Sequence, residues 1–219
     1  MHTYIHTHIH TYIHANLYDI IKGRQPWNYP IDSRVRPQHW HHPADTIEIR
    51  EPSGKPPTLQ IFTDGSKSEH GVGSGVAIFM ENEPVCELKL KFDAKCSNNQ
   101  VEQLAIIKGL EAVKVIETRE DTPRTAEIYT GSQITINSIT NTSNHNSLIE
   151  EIRKHTLQLQ RDNWEIWFTW VKAHVGILGN ELADHLAKSA ARDGSLQVCY
   201  DKIPKSSVLH ELEQANVTQ

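Results

Sequence analysis

The rhythm of apolar and polar positions changes several times along this chain, and each change marks an element. In Leu59–Asp64, the side chains of Leu59, Ile61 and Thr63 alternate with those of Gln60, Phe62 and Asp64. That period of two predicts a strand, and the Asp64–Gly65 step predicts that it enters a turn there. "GVGSGVAIFM" and "VCELKLKFD" read as two more strands, joined as a hairpin through "ENEP". The period then becomes helical in "SNNQVEQLAIIKGLEAVKVIE", with Ser97 or Asn98 as the cap. "AEIYTGS" predicts a fourth strand, and a short helix follows from about Ser132 to Ile139. "SLIEEIRKHTLQLQ" predicts another helix, with apolar residues at 148, 152 and 159. "WEIWFTWVKAH" is nearly unbroken in apolar and aromatic residues, as a buried fifth strand would be. "GNELADHLAKSAARDG" predicts a last helix ending at Gly194. Three strands, then helices alternating with two more, predict an α/β fold: a mixed sheet with helices on both faces.

The flanks have a different texture. Residues 1–15, "MHTYIHTHIHTYIHA", repeat with a four-residue period, as a four-nucleotide repeat does when translated in triplets. No apolar face emerges from that composition, so disorder is expected, and its histidines form no closed ligand set for a metal. Residues 16–57 hold most of the ten prolines and predict an extended connector. Within it, His39, His41 and His42 read as a Pro-bounded loop around a packed Trp40 rather than a metal site. The domain proper is expected over 58–194, followed by a C-terminal tail at 195–219.

Charge and cysteines narrow the function classes. The net charge is −5, and the acidic excess persists between Leu59 and Gly194. A partner that is a polyanion would therefore have to be held by metal ions, local contacts or a neighbouring domain. Three scattered cysteines with no CxxC pair exclude a disulfide framework and a thiolate zinc site, and fit a reducing compartment. No apolar run is long enough to span a membrane, and the N-terminus does not resemble a secretory signal. An intracellular protein, cytoplasmic or nuclear and monomeric, is expected.

Three carboxylates occupy unusual positions. Asp64 shares a face with Phe62 at the C-terminal end of its strand, the edge where α/β sheets bind ligands, although an Asp-Gly turn explains it equally. Glu102 lies on the apolar stripe of the first long helix with Ala105, Ile106, Gly109, Val113 and Ile116, opposite a polar stripe of Gln103, Glu111, Lys114 and Thr118. An unpartnered buried carboxylate is costly; a side chain curling back to cap its own helix is the alternative. Asp184 lies beside the apolar face of Ala183, Leu186, Ala187 and Ala190, or else forms an exposed pair with Lys188. Carboxylates gathered at one sheet end repel each other, and hard cations such as Mg²⁺ or Mn²⁺ relieve that repulsion.

At these residues the chain resembles the type 1 ribonuclease H family. The matching segments are "IFTDGSK", "SNNQVEQLAI", "IYTGSQ" and "WVKAHVGILGNELADHLA", in the family's order, covering about Leu59 to Asp193. The wording is most similar to the ribonuclease H segment at the end of reverse-transcriptase polyproteins of non-LTR retrotransposons. "YPIDSRVRPQHWHHPAD" also resembles the segment before that domain. The resemblance implies a three-layer fold with a five-stranded mixed sheet, and cleavage of the RNA strand of an RNA–DNA hybrid with Mg²⁺, Mn²⁺ being an alternative. It implies metal-ligating, catalytic roles for Asp64, Glu102 and Asp184, and a part for His174 in proton transfer or product release. It places Asn98, Asn99 and Gln133 against the hybrid in the minor groove, where 2′-hydroxyls distinguish RNA from DNA. Helix capping is a compatible second role for the asparagines. Lys67 and Lys172 are the local candidates for phosphate contacts.

The chain departs from the family at one ligand. The pattern "YTDSQ" has become "YTGSQ", so Gly131 stands where a third metal-ligating Asp is implied. Ser132 is a poor metal ligand, and Glu127 is four residues away along the strand, roughly 13 Å. Two readings follow. One is a hybrid-cleaving nuclease with intact fold and weakened chemistry, whose reverse-transcriptase domain supplies the grip on nucleic acid in the parent element. The other is a catalytically dead, hybrid-binding or relic domain of a mobile element, which the repeat-like start and the lack of a polymerase segment favour.

Overall fold

The computed structural model describes residues 42–51, 56–172, 176–202 and 204. Its strands are β1 (Glu48–Arg50), β2 (Leu59–Ser68), β3 (Gly71–Met80), β4 (Glu83–Phe92), β5 (Thr125–Thr130), β6 (Glu165–Trp170) and β7 (Val198–Tyr200). Its helices are α1 (Asn98–Val113), α2 (Gln133–Thr140), α3 (Ser147–Arg161) and α4 (Leu178–Arg192). The strands form one sheet in the order β1-β6-β5-β2-β3-β4-β7. The β2–β3 and β3–β4 pairs are antiparallel and the rest parallel. Helix α4 packs on β2, β3 and β4, while α1 covers the opposite face over β2, β3 and β5, with α3 beside it. This is the α/β architecture, mixed sheet and helices on both faces, that the sequence pattern predicts. The five legible strands form its centre, and two three-residue strands extend it at the edges.

Most elements are set by local chemistry. Glu81 and Asn82 close the β3–β4 hairpin with φ of 53° and 66°, the doubly left-handed turn whose twist matches paired strands. The Ser97 side chain caps α1 and Gln100 answers it in a capping box, so Ser97, not Asn98, ends the loop. Leu59, Ile61, Val76, Ile78, Ile106, Leu110, Ile128 and Phe168 belong to the main core. Phe62, Ala77, Phe79, Ala183 and Leu186 form a smaller cluster under α4.

Three expectations change in the tertiary context. First, β2 does not turn at Asp64–Gly65. Asp64 pairs with Gly75 and Gly65 with Ser74, and the ladder continues to Ser68 and Gly71. The parallel partner β5 ends earlier, its last pair with β2 being Thr63 and Thr130. The Asp-Gly step is therefore held straight by β3 at the place where β5 leaves. Second, α1 has no full polar stripe. It is enclosed by the sheet on one side and α3 on the other, and Gln103 is only 6% exposed. The helix also stops at Val113, before Ile116.

Third, residues read as connector contribute to the sheet. His42 is buried and caps a 3-10 turn at Pro43–Thr46, its Nδ1 accepting from the Ala44 N–H. Strand β1 pairs with β6, the Trp167 indole donates to Glu48 at 3.0 Å, and the Arg50 guanidinium lies 3.4 Å from the Trp167 ring centre. His39, Trp40 and His41, with residues 1–38, lie outside the described residues.

Candidate active site

The site starts where β2 and β5 part. Asp64 follows Thr63, the last residue of β2 paired with β5, and Gly131 follows Thr130, its partner. The two positions are therefore neighbours at the C-terminal ends of parallel strands. Gly65 comes next on β2 and faces α1. A Cβ there would stand 3.2 Å from both the Glu102 Cδ and the Glu102 backbone nitrogen, so glycine lets the first turn of α1 approach the strand. The Gly65 N–H donates to the Glu102 carboxylate.

This approach brings two carboxylates together. Burial, and then the Asp64 charge, push the Glu102 carboxyl up to about 8, against the partial relief of the Gly65 hydrogen bond. Glu102 Oε2 is buried and has no hydrogen-bond partner. Helix capping does not explain the residue, because Ser97 and Gln100 already make the cap. A buried carboxylate oxygen left unbonded beside a second carboxylate is a poor arrangement for stability and a good one for receiving a cation.

The raised value has a measurable consequence. Glu102 is protonated in both states below its ordinary value of 4.5 and carries no penalty there. Between 4.5 and about 8 the folded chain holds a proton that the unfolded chain releases, so metal-free stability falls as pH rises through this window. Glu102→Gln is expected to match wild type near pH 4.5 and to be more stable by about 2–4 kcal/mol above pH 8. Urea unfolding in EDTA at several pH values checks this; parallel curves would mean that Glu102 ionises normally.

Asp184 arrives from the other face. A Cβ at Gly75 would run into the Ala183 carbonyl and the Ala187 nitrogen, so α4 lies directly on β3. Gly75 is the cross-strand partner of Asp64, which places the residue after Ala183 close to the same sheet position. The Asp184 carboxylate is held by Lys188, 2.7 Å from its Oδ2. The alternative i,i+4 pair is thus formed, and Asp184 is not among the groups that raise Glu102.

The remaining residues divide clearly. Gly131 is exposed, and the nearest atom to a Cβ built on it is the Val171 carbonyl oxygen at 3.9 Å, so a side chain fits. Among the described residues no neighbour replaces the absent one: Ser132 caps α2 through the Thr135 N–H, and buried Glu127 accepts from the Thr169 hydroxyl. Asn98 and Asn99 are exposed on the first turn of α1, and Gln133 is exposed at the start of α2. Lys67 reaches the Cys96 carbonyl at 2.7 Å and so braces the entry to α1, while Lys172 is exposed. His174 lies outside the described residues.

Among the described residues, two other groupings contain ligand-type side chains, His42–His145–Glu150 and Glu111–Glu151–His155. Arg153 bonds Glu150 in the first; Lys108 bonds Glu111, and Lys114 contacts the His155 Nδ1, in the second. Basic partners already compensate these carboxylates, unlike Glu102.

Comparison with known proteins shows the family. The family model RNase H matches residues 56–192, and the chain belongs to that family. The ribonuclease H of Syntrophotalea carbinolica is 31% identical over 158 residues, covering 64% of this chain and 95% of the relative. That of Caulobacter sp. (strain K31) is 29% identical over 144 residues, covering 60% and 88%. Among solved structures, the N-terminal RNase H domain of a Mycobacterium tuberculosis protein, fused to maltose-binding protein, aligns with a TM-score of 0.47 and 20% identity. It covers 62% of this chain and 98% of that one. Among the described residues no helix is long and apolar enough to cross a membrane.

Proposed function

We propose that this domain is a type 1 ribonuclease H that hydrolyses the RNA strand of an RNA–DNA hybrid, and that its chemistry is weakened at Gly131. The observation that carries the proposal is the unbonded, buried Glu102 oxygen beside Asp64. These donors fit divalent cations, with Mg²⁺ the expected ion and Mn²⁺ an alternative: all are hard oxygens, and one is destabilised until a cation arrives. Asp64, Glu102 and Asp184 would hold them, and the bound ions would activate water and stabilise the leaving oxygen of the phosphodiester. Asn98, Asn99 and Gln133 stand exposed at the ends of α1 and α2 nearest this edge, suited to reading the minor groove, and His174 is assigned to proton transfer or product release by its motif.

The second reading, a catalytically dead hybrid-binding domain, is favoured by Gly131, because Ser132 and Glu127 are committed elsewhere. Descent from a retrotransposon, with a reverse-transcriptase domain as partner, is supported by motif wording alone. The test gives the full chain a labelled hybrid with Mg²⁺, then Mn²⁺. Slow cleavage confined to the RNA strand is expected, reduced at least about 100-fold by Asp64→Asn. A folded chain that retains hybrid and leaves it uncut in both metals supports the second reading in its hybrid-binding form; one that ignores hybrid rejects the nuclease and leaves only the relic.

A further inference from the structure

We infer that Trp170 is a substrate-binding residue, whose exposed ring packs against the hybrid beside the carboxylates; the inference rests on the proposed hybrid specificity. Of the tryptophans in the described residues, Trp164 and Trp167 are each 7% exposed and buried in the fold, whereas Trp170 is 41% exposed. It is the last residue of β6 and pairs with Thr130, one position before Gly131. Its indole N–H donates to the Gly131 carbonyl at 3.1 Å. The polar edge of the ring is thus satisfied and its orientation fixed, while an apolar surface faces solvent.

The placement matters as much as the exposure. Along β6, Ile166, Phe168 and Trp170 point to one side, and Ile166 and Phe168 belong to the core that α1 and α3 cover. Trp170 therefore emerges at the C-terminal sheet edge on the side of Glu102, Asn98 and Asn99. Ile134, in the first turn of α2 and 59% exposed, adds a second apolar surface beside Gln133. A monomer gains nothing by fixing a large apolar ring in water at this edge; an interface does, and tryptophan is the side chain most enriched among energetically dominant interface positions. The partner here is a polyanion, and the chain has a net charge of −5. Affinity must draw on contacts other than phosphate neutralisation, and a rigid ring against sugar and base edges is one that requires no charge.

The test measures equilibrium binding of the full chain to a short RNA–DNA hybrid by fluorescence anisotropy. Ca²⁺ replaces Mg²⁺, and RNA integrity is checked on a gel. Trp170→Ala is expected to weaken binding at least about 10-fold without altering its salt dependence, because no phosphate contact is lost. Trp170→Phe, which keeps a ring but not the N–H, should stay within about 3-fold of wild type. Circular dichroism verifies that both variants fold. Undiminished binding by Trp170→Ala overturns the inference and leaves the hybrid reading standing. Equal loss in both variants, or a flattened salt dependence, also overturns it, since the role would then be support of the Gly131 backbone. Failure of the wild-type chain to bind hybrid rejects the functional reading and this inference together.

Discussion

Gly131→Asp is expected to raise hybrid cleavage by about 10–100-fold or more and to lower the metal concentration needed for half-maximal rate. The gain follows from position, space and charge. Gly131 is the next residue after the Thr63–Thr130 pair, so a side chain there stands beside Asp64. Its φ is not in the left-handed region, and a Cβ would meet only the Val171 carbonyl oxygen, at ordinary contact distance. The Trp170 bond to the Gly131 carbonyl would hold the backbone while the new carboxylate turned toward the cations. A third negative charge also has a cost: without metal it should raise Glu102 further and lower stability above neutral pH. The variant should consequently gain more thermal stability from Mg²⁺ than wild type does. Gly131→Asn, nearly the same shape without the charge, should recover little activity. Cleavage rates against Mg²⁺ concentration for the three proteins decide the matter, and identical curves would show that Gly131 is not the missing ligand.

Arg153→Met is expected to cost about 3–5 kcal/mol of stability, the largest loss from any single substitution discussed. Arg153 is 1% exposed in the middle of α3. Its Nε donates to the Ile139 carbonyl at 2.9 Å, its Nη1 to the Asn144 carbonyl at 2.7 Å, and its Nη2 to the carbonyls of Ser138 and Asn141 at 2.9 and 2.6 Å. Those carbonyls include the final turn of α2, where the helix dipole is negative, and a guanidinium is the side chain that can satisfy several of them in one plane. Its charge is balanced by Glu150, 3.0 Å away. Methionine would fill much of the space and take one donor from each of the four carbonyls; those of Ser138 and Asn141 would keep the backbone N–H groups of Asn141 and Asn144. Arg153→Lys should fall between, since an ammonium cannot reach all four. Urea denaturation gives the three stabilities. A loss below about 1 kcal/mol for Met would mean that water replaces the guanidinium. Because α2 carries Ser132 and Gln133 beside the candidate site, a loosened α2 should also slow hybrid cleavage.

Features that depend on near neighbours are legible along the chain. Alternation marked β2 and an unbroken apolar run marked β6, a helical period marked α1, α3 and α4 with a cap legible at α1, and the order of elements predicted a mixed sheet with helices on both faces. The motifs also singled out Asp64, Glu102 and Gly131, which the structure sets at one sheet edge. Features that depend on distant partners emerge with the folded chain. Whether Asp64–Gly65 turns or runs straight depended on Gly75 and Ser74 across the ladder. Whether Gln103 meets water depended on α3, and whether the short stretch Glu48–Arg50 is strand depended on β6, more than a hundred residues later. Arg153 looks in sequence like any surface cation of an amphipathic helix. It is buried because the end of α2 offers it four carbonyls, and no pattern within α3 records that. Periodicity and caps are written within a few residues, whereas the burial of a polar group is set by its partners, and folding alone brings those together.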